Sequence, residues 1–383
     1  MDSKIVYIDY LAEEHSHLVE DDLFWYKYII NLNKEAHFYT SKYSKRQLPK
    51  EAANKRLETF SLWSPKSKNN RYHYVIRMIK IPSYVDSNII IHSFEELSVI
   101  IFLLKNMFRN NKITLVVTNN ISLGRFNLWY SVILKRIIYP LIFKYTDNIF
   151  CQSKYQKDIL VQSLQGSHKK NAIRSIKITK HHLLGRKRYL PASKSSMEIS
   201  FFGPINIAKS ISSFLNLAKY DNSGKHVYNI YNPGKINVIP IQTFINKHSI
   251  NYVHIINEYL SEAQFWKAIR GSKYIMLTHG NEYSGKLSGH LCDCISAAVP
   301  IISRRISPNR ELAEKYGDIG YFYDNMADLK QILNNIDNEK NRERQRLNMI
   351  KINRDHRFDI IEHEYNQILF NSLYQNMAAG TVV

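Results

Sequence analysis

Residues 278–303 read THGNEYSGKLSGHLCDCISAAVPIIS, and within them Gly280, Gly285 and Gly289 surround Lys286, with Asp293 four residues further on. Glycines let a backbone approach phosphate oxygens, a lysine neutralises their charge, and the N–H groups of a following helix favour an anion. His279, Ser284, Gly285, Lys286, Leu287 and Ser288 are therefore candidate ligands for a phosphorylated molecule. The bland alternative is an ordinary strand–turn–helix with turn glycines. Gly280-x-x-x-x-Gly285-Lys286 also matches the opening of a P-loop. Leu287, however, stands where that motif needs a Ser or Thr on magnesium, and no acidic magnesium-binding strand follows.

A second constellation follows the first apolar run: Glu13, Glu14, His15 and His17, then Glu20, Asp21 and Asp22. Carboxylates or imidazoles at such a place could deprotonate an attacking hydroxyl, and simple solvation explains the first four equally well. Asp21 and Asp22 suit the acidic start of a helix. His15-x-His17 has no third ligand at an obvious spacing, so no metal is expected.

The elements that must hold these residues alternate. Strands are expected at 4–10, 36–40, 89–92, 114–118 and 148–151, with helices at 22–32, 95–107, 128–144 and 154–164. Around 189–197 (YLPASKSSM) the composition becomes that of a linker. The alternation restarts with strands at 199–202, 226–231, 252–256, 274–278 and 300–303. Helices fall at 207–219, at 261–270 with Ser261 and Gln264 as a capping box, at 288–298, and from Ser307-Pro308 to before Gly317. This predicts an α/β chain of two doubly wound, Rossmann-like domains facing a central cleft. The expected division is an N-terminal domain at 1–190, a linker at 191–197, a C-terminal domain at 198–340, and a helical tail at 341–383 returning to the first domain.

With those elements placed, the second half resembles the nucleotide-sugar domain of GT-B glycosyltransferases, in particular the family-4 (group-1) enzymes with an E-x7-E motif. The resemblance rests on DCISAAVPII (293–302), on NEYLSEAQFWKAIRGSKYIMLTHGNE (257–282), on ISFFGPINIAK (199–209) and on ELAEKYGDIGYFY (311–323). TDNIFCQSKYQKDIL (146–160) is similar to the last strand and helix of the family's acceptor domain. The resemblance implies that Asp293 holds the donor ribose at the second Glu position, while Gly285 stands at the first, with Glu282 three residues upstream as a substitute. It implies that Gly203 and Lys209 lie at the donor phosphates. The partnering Arg is missing, because Pro204 or Ile205 takes its place. It further implies metal-independent chemistry with no cofactor, the nucleotide sugar being substrate, and backbone N–H groups at 284–288 on the leaving diphosphate. Glu13, Glu14, His15, His17 and Glu282 are the catalytic candidates, and retaining and inverting chemistry both stay open.

Charge bears on the acceptor. The 383 residues carry 53 Lys+Arg against 33 Asp+Glu, a net charge of +20. Residues 1–195 hold 32 basic and 15 acidic side chains, and 196–383 hold 21 and 18. An anionic neighbour is expected at the first half only. Basic tracts at 42–80 and 159–197 fit an anionic membrane leaflet carrying a lipid-linked or glycan acceptor, or else a solvated face. A nucleic-acid binder would be basic throughout, and no helix-turn-helix, zinc-finger or RNP signature is present, so no nucleic acid is expected. Three cysteines cannot build a disulfide scaffold. The start of the chain lacks a signal-peptide pattern, and the most apolar helical stretch, 126–143, is broken by Lys135 and Arg136. The expectation is a bacterial glycosyltransferase of surface polysaccharide, lipopolysaccharide or capsule assembly, cytoplasmic and peripheral on the inner face of the membrane. A catalytically degenerate binding subunit is the alternative, and a nucleic-acid-binding protein, given pI ≈ 9.6 and 26 tyrosines, is the runner-up from another class.

Overall fold

The computed structural model describes all residues other than 1–3, 11–17, 33, 49–56, 62–70, 93, 118–136, 163, 165, 187–196, 204–210, 234–237 and 380–383. The chain forms two compact units, residues 1–182 with 359–383, and residues 183–358.

The first unit is built on a seven-stranded parallel sheet: β1 (Ile5–Ile8), β2 (Ala36–Thr40), β3 (Leu57–Ser61), β4 (Asn88–His92), β5 (Lys112–Val116), β6 (Asn148–Cys151) and β7 (Ile176–Ile178). Their order is β3-β2-β1-β4-β5-β6-β7. Ile5 pairs with Ala36 on one side and with Asn88 on the other, so the winding direction reverses between β1 and β4. The inner strands are buried on both faces because helices cover both, which is why they read as continuous Ile/Val/Leu runs. Val6, Ile8, Ile89, Ile91 and Leu115 pack with Met78, Phe102 and Leu103 from the helices Arg71–Lys80 and Glu96–Asn106. Tyr7 stacks on Phe38 at 4.3 Å and lies 5.9 Å from Trp25 of the helix Leu18–Asn31.

The second unit carries a six-stranded parallel sheet: β8 (Glu198–Phe202), β9 (Val227–Asn232), β10 (Val253–Asn257), β11 (Tyr274–Leu277), β12 (Ile301–Arg304) and β13 (Gly320–Tyr323). The order β10-β9-β8-β11-β12-β13 reverses between β8 and β11. One face packs Ile275, Leu277 and Ile301 against Leu291, Ile295 and Ile352, and the other packs Ile199, Phe201 and Met276 against Phe214, Ile245 and Leu329. The helix Glu262–Gly271 starts with the reciprocal Ser261/Gln264 capping box read from the sequence.

The unit border falls after His182, ahead of the 191–197 stretch expected as a linker. Leu183 and Leu184 already belong to the second core, and Asn353 Nδ2 donates to the Leu184 carbonyl at 3.0 Å. At the other end the helix Glu339–Asp355 stays with the second unit by burying Met349 and Ile352. The last helix, Phe358–Ala379, packs on the first unit from residue 359 onward. Tyr365 lies 5.2 Å from Trp25, Tyr28 Oη donates to Asn366 Oδ1 at 2.7 Å, and Lys112 Nζ donates to the Leu369 carbonyl at 2.6 Å. Among the described residues no helix is long and apolar enough to cross a membrane.

Candidate functional site

In a doubly wound sheet, ligands bind beyond the strand carboxyl ends where the winding reverses. In the second unit that place lies between β8 and β11. β11 runs into buried Thr278 and His279, a short turn at Asn281–Tyr283, then Gly285, and the helix Gly289–Ala297 follows with Ser288 as its N-cap residue. The His279 ring stacks on Tyr283 at 4.1 Å. Gly285 has φ +81°, a left-handed conformation that a Glu at this position would strain to adopt. Lys286 sits with its Nζ 5.6 Å from the Tyr283 ring centroid. Thr278 Oγ1 is buried with no hydrogen-bond partner among the described residues.

The loop uses much of its own backbone. Ser284 N–H donates to Asn281, Gly285 N–H to Ser307 and Lys286 N–H to Tyr283, at 3.0–3.1 Å. Three of the five N–H groups expected at a diphosphate are thus engaged within the protein. The donors that remain for an anion are those at the start of the helix Gly289–Ala297, where the first turn has no intrahelical acceptors and Ser288 makes no side-chain cap bond. Leu287 packs into the apolar core.

Asp293 lies in the second turn of this helix and is 5% exposed. Its Oδ1 is 3.2 Å from Arg186 Nη1, and its Oδ2 is 3.4 Å from His290 Nδ1. The His290 ring lies 6.4 Å from Phe202 at the end of β8, next to Gly203, whose φ is +105°. Gly203, Ser288, His290 and Asp293 are thereby gathered at the reversal point. Arg186 and His290 were not singled out by the sequence. Arg186 comes from a different part of the chain, and His290 sits at i–3 from Asp293, a spacing that marks a shared helix face. Lys209 lies outside the described residues. Glu282 falls in the Asn281–Tyr283 turn, with its side chain outside them too.

In the first unit Glu13, Glu14, His15 and His17 all lie outside the described residues. The reversal point between β1 and β4 instead gathers buried Asp9, Asp21, Asp22 and His92. His92 Nδ1 is 3.4 Å from Asp9 Oδ2, His92 Nε2 is 3.9 Å from Asp21 Oδ2, and His182 Nε2 is 2.8 Å from Asp21 Oδ1. Tyr7 and Thr40 hydroxyls donate to the two oxygens of Asp22. Burial would raise the Asp21 carboxyl, but the pairing with His182 and the charges of His92 and His181 hold it well below the usual range. Burial, then the neighbouring Asp9 charge, push Asp22 well above that range. Asp21, His181 and His182 bring potential ligand atoms within 4.8 Å of one another. The two imidazoles are stacked with planes only 18° apart, however, so their in-plane lone pairs do not converge on one ion.

A further charged cluster stands at the amino end of the second sheet. His226 is bracketed by Asp221 at 2.7 Å and Asp337 at 2.9 Å, and Lys273 Nζ donates to Asp337 at 2.7 Å. Burial lowers the His226 pKa, and the hydrogen bonds to Asp221 and Asp337 outweigh it, leaving it above the ordinary 6.5. A raised histidine stabilises the fold fully below pH 6.5 and loses that contribution as pH rises through the folded-state value. The thermal midpoint of the second unit should therefore fall as pH increases from about 6 to 8. His226→Gln should flatten that slope in a pH series of thermal melts.

No protein-family model matches the chain, and no curated protein matches it. Solved structures do. Anabaena HepE in complex with UDP superposes with TM-score 0.66 at 9% identity, over 96% of this chain and 99% of that one. A UDP-forming α,α-trehalose-phosphate synthase from Burkholderia xenovorans gives 0.61 at 10% identity, over 97% and 99%. The fold is GT-B. TarM matches at 0.55 and 14% identity, over 79% of this chain and 59% of its own. This GT-B chain has two parallel sheets, and its last helix belongs with the first unit. At these identities the likeness carries the architecture, and the activity has to be argued from the residues.

Proposed function

We propose that this chain is a glycosyltransferase that moves a sugar from a nucleotide-diphosphate donor to a membrane-associated glycan or glycolipid in bacterial surface polysaccharide, lipopolysaccharide or capsule assembly. The observation that carries the reading is the β11–loop–helix site within a fold shared end to end with a UDP complex. As the glycosidic bond to the diphosphate breaks, negative charge grows on the leaving oxygens. The amino end of the helix Gly289–Ala297 and the Lys286 ammonium would stabilise it. Asp293 accepts the ribose hydroxyls, and Lys209 with Gly203 completes the phosphate side. The acceptor hydroxyl loses its proton to a group of the first unit, with Glu13, Glu14, His15 and His17 as candidates, or to Glu282. The reaction calls on no resident cofactor or metal in this scheme. The basic first half would hold the protein on the inner face of the cytoplasmic membrane, each cation near an anionic surface contributing roughly 1 kcal/mol.

One feature favours a second reading, a binding subunit without turnover. Gly285, at the first position of the E-x7-E pattern, has a left-handed backbone, so the loop is built around glycine and the usual carboxylate has no place there. Calorimetric titration with UDP, followed by UDP-release assays across UDP-sugars and lipid-linked acceptors, separates the two. Saturable binding with turnover supports the enzyme, and binding without turnover across the panel supports the subunit. Absence of UDP, GDP, ADP and CMP binding would falsify both.

A further inference from the structure

The amino end of the first sheet carries an apolar surface that none of the chemistry above uses. The helices Arg71–Lys80 and Glu96–Asn106 end there, next to the loops that lead into β4 and β5. Phe108 is 88% exposed, Val85 57%, Ile79 53% and Leu104 47%. Val85, Asp86, Lys105, Phe108, Arg109 and Asn110 line one open cleft of about 630 Å³. Lys105 Nζ donates to the carbonyls of Ile79 at 3.1 Å and Ile81 at 2.5 Å, which ties the end of the helix Arg71–Lys80 to the same surface. Single exposed apolar side chains need no explanation, but a contiguous set around one cleft marks an interaction surface.

These side chains are not held out by a slack loop. Asp86 N–H donates to the Arg109 carbonyl at 3.1 Å, and Asn110 Nδ2 donates to Asp86 Oδ1 at 2.7 Å. Ser87 N–H donates to Asn111 Oδ1 at 3.0 Å, and Asn111 Nδ2 to the Tyr84 carbonyl at 2.7 Å. Asp86 and Asn110 sit at φ +50° and +51°, the left-handed region that Asp and Asn tolerate best after glycine. The two loops are thereby zipped together, and folding Val85 or Phe108 inward would break that network.

The charge at this face selects its occupant. Lys80, Lys105 and Arg109 are exposed there with Asp86, an excess of positive charge. An isologous contact with a second copy would set these cations against their own counterparts. An anionic leaflet meets them with opposite charge, while Phe108 and Val85 enter the boundary between headgroups and acyl chains. We propose that this face, built from Ile79, Lys80, Val85, Leu104, Phe108 and Arg109, is the membrane-docking surface of the chain, its occupant an anionic lipid bilayer. This contact rests on the membrane part of the reading above and deepens it. Apart from Ile79 and Lys80, its residues lie outside the basic tracts at 42–80 and 159–197. Asp9 and His92 stand at the carboxyl ends of β1 and β4, the opposite end of the sheet, so docking leaves that reversal point clear of lipid.

The test is sedimentation of the full chain with vesicles of phosphatidylcholine alone and of equal phosphatidylcholine and phosphatidylglycerol. Wild type should bind the anionic vesicles about tenfold or more tighter than the neutral ones. Phe108→Ser should weaken anionic-vesicle binding by about tenfold or more at low and high salt alike, since burial of an aromatic ring is not screened. Arg109→Gln should weaken it about fivefold at low salt and hardly at high salt. Both side chains are exposed, so thermal melts of both variants should match wild type. Phe108→Cys adds a direct reading, because Cys151, Cys292 and Cys294 are buried. A polarity-sensitive maleimide dye on it should shift its emission to the blue on anionic vesicles. Anionic-vesicle binding that Phe108→Ser leaves unchanged, or a dye that stays in water, overturns the inference. If Lys169→Glu with Lys170→Glu then abolishes binding, the membrane reading survives and docking belongs to the 159–197 tract. If Phe108→Ser instead turns a wild-type dimer into a monomer and leaves vesicle binding intact, the occupant is a second copy and the inference is wrong. Wild type that binds neither vesicle removes the membrane reading and this docking face together, with nucleotide binding still to be judged on its own titration.

Discussion

Asp21→Ala is expected to destabilise the first unit by about 3–5 kcal/mol, the cost of removing one partner from a buried ion pair. Asp21 is buried at the start of the helix Leu18–Asn31, with His182 on one oxygen and His92 on the other. Alanine leaves both imidazoles beside a cavity and removes an anion that favours the protonated form of His92. The His92 pKa is lowered by burial, but hydrogen bonding to Asp9 and the charge of Asp21 raise it above 6.5 overall. The sign of the pH dependence follows. The Asp21 contribution is present above its unfolded value of 3.8 and is lost as pH falls below it. The His92 contribution is present below 6.5 and is lost as pH rises through its folded value. The Asp21 and His92 contributions overlap between about pH 4 and 6.5, the raised Asp22 carboxyl works against them as pH rises above 3.8, and Asp21→Ala should flatten both limbs. Urea unfolding followed by circular dichroism across pH measures this. A loss below about 1 kcal/mol would show that the cluster relaxes to let water in and is not a dry network.

The same cluster shows where sequence reasoning reached and where it stopped. Strands 36–40 and 148–151 are found at the expected residues, because AHFYT and NIFC are short apolar runs between polar turns. β3 (LETFS) and β7 (IKI) were not read as strands. Each lies at a sheet edge, where charged residues replace the apolar signal. The helix Arg71–Lys80 was read only as part of a basic tract, although Met78 on its inner face is fully buried. Exposed Tyr72 and Ile79 and buried Arg77 blurred its period. The strand–loop–helix at 274–297 was legible, because glycines, a lysine and a helix start are close in sequence. The partners of its carboxylate were half legible: His290 shares a helix with Asp293, but Arg186 lies 107 residues away and is brought there by tertiary packing alone. Asp9, His92 and His182 were missed for the same reason. Asp9 and His92 are 83 residues apart and meet only because β1 and β4 are neighbours.

Asp293→Ala should weaken UDP binding more than any other single change at the donor site, by about a hundredfold or more. Under the proposed reading two losses combine: the acceptor for the ribose hydroxyls, a charged hydrogen bond, and the partner of Arg186. Lys286→Ala removes one half-buried cation and should cost about tenfold. The comparison with Arg186→Gln is the informative one. If Asp293 acts partly through Arg186, the effects of Asp293→Ala and Arg186→Gln will not add. The double variant should then bind UDP little worse than Asp293→Ala alone. Unchanged UDP affinity in both Asp293→Ala and Lys286→Ala, with melts confirming folded protein, would remove the donor from this helix altogether. Additive losses would keep the donor there but leave Asp293 and Arg186 as independent contacts.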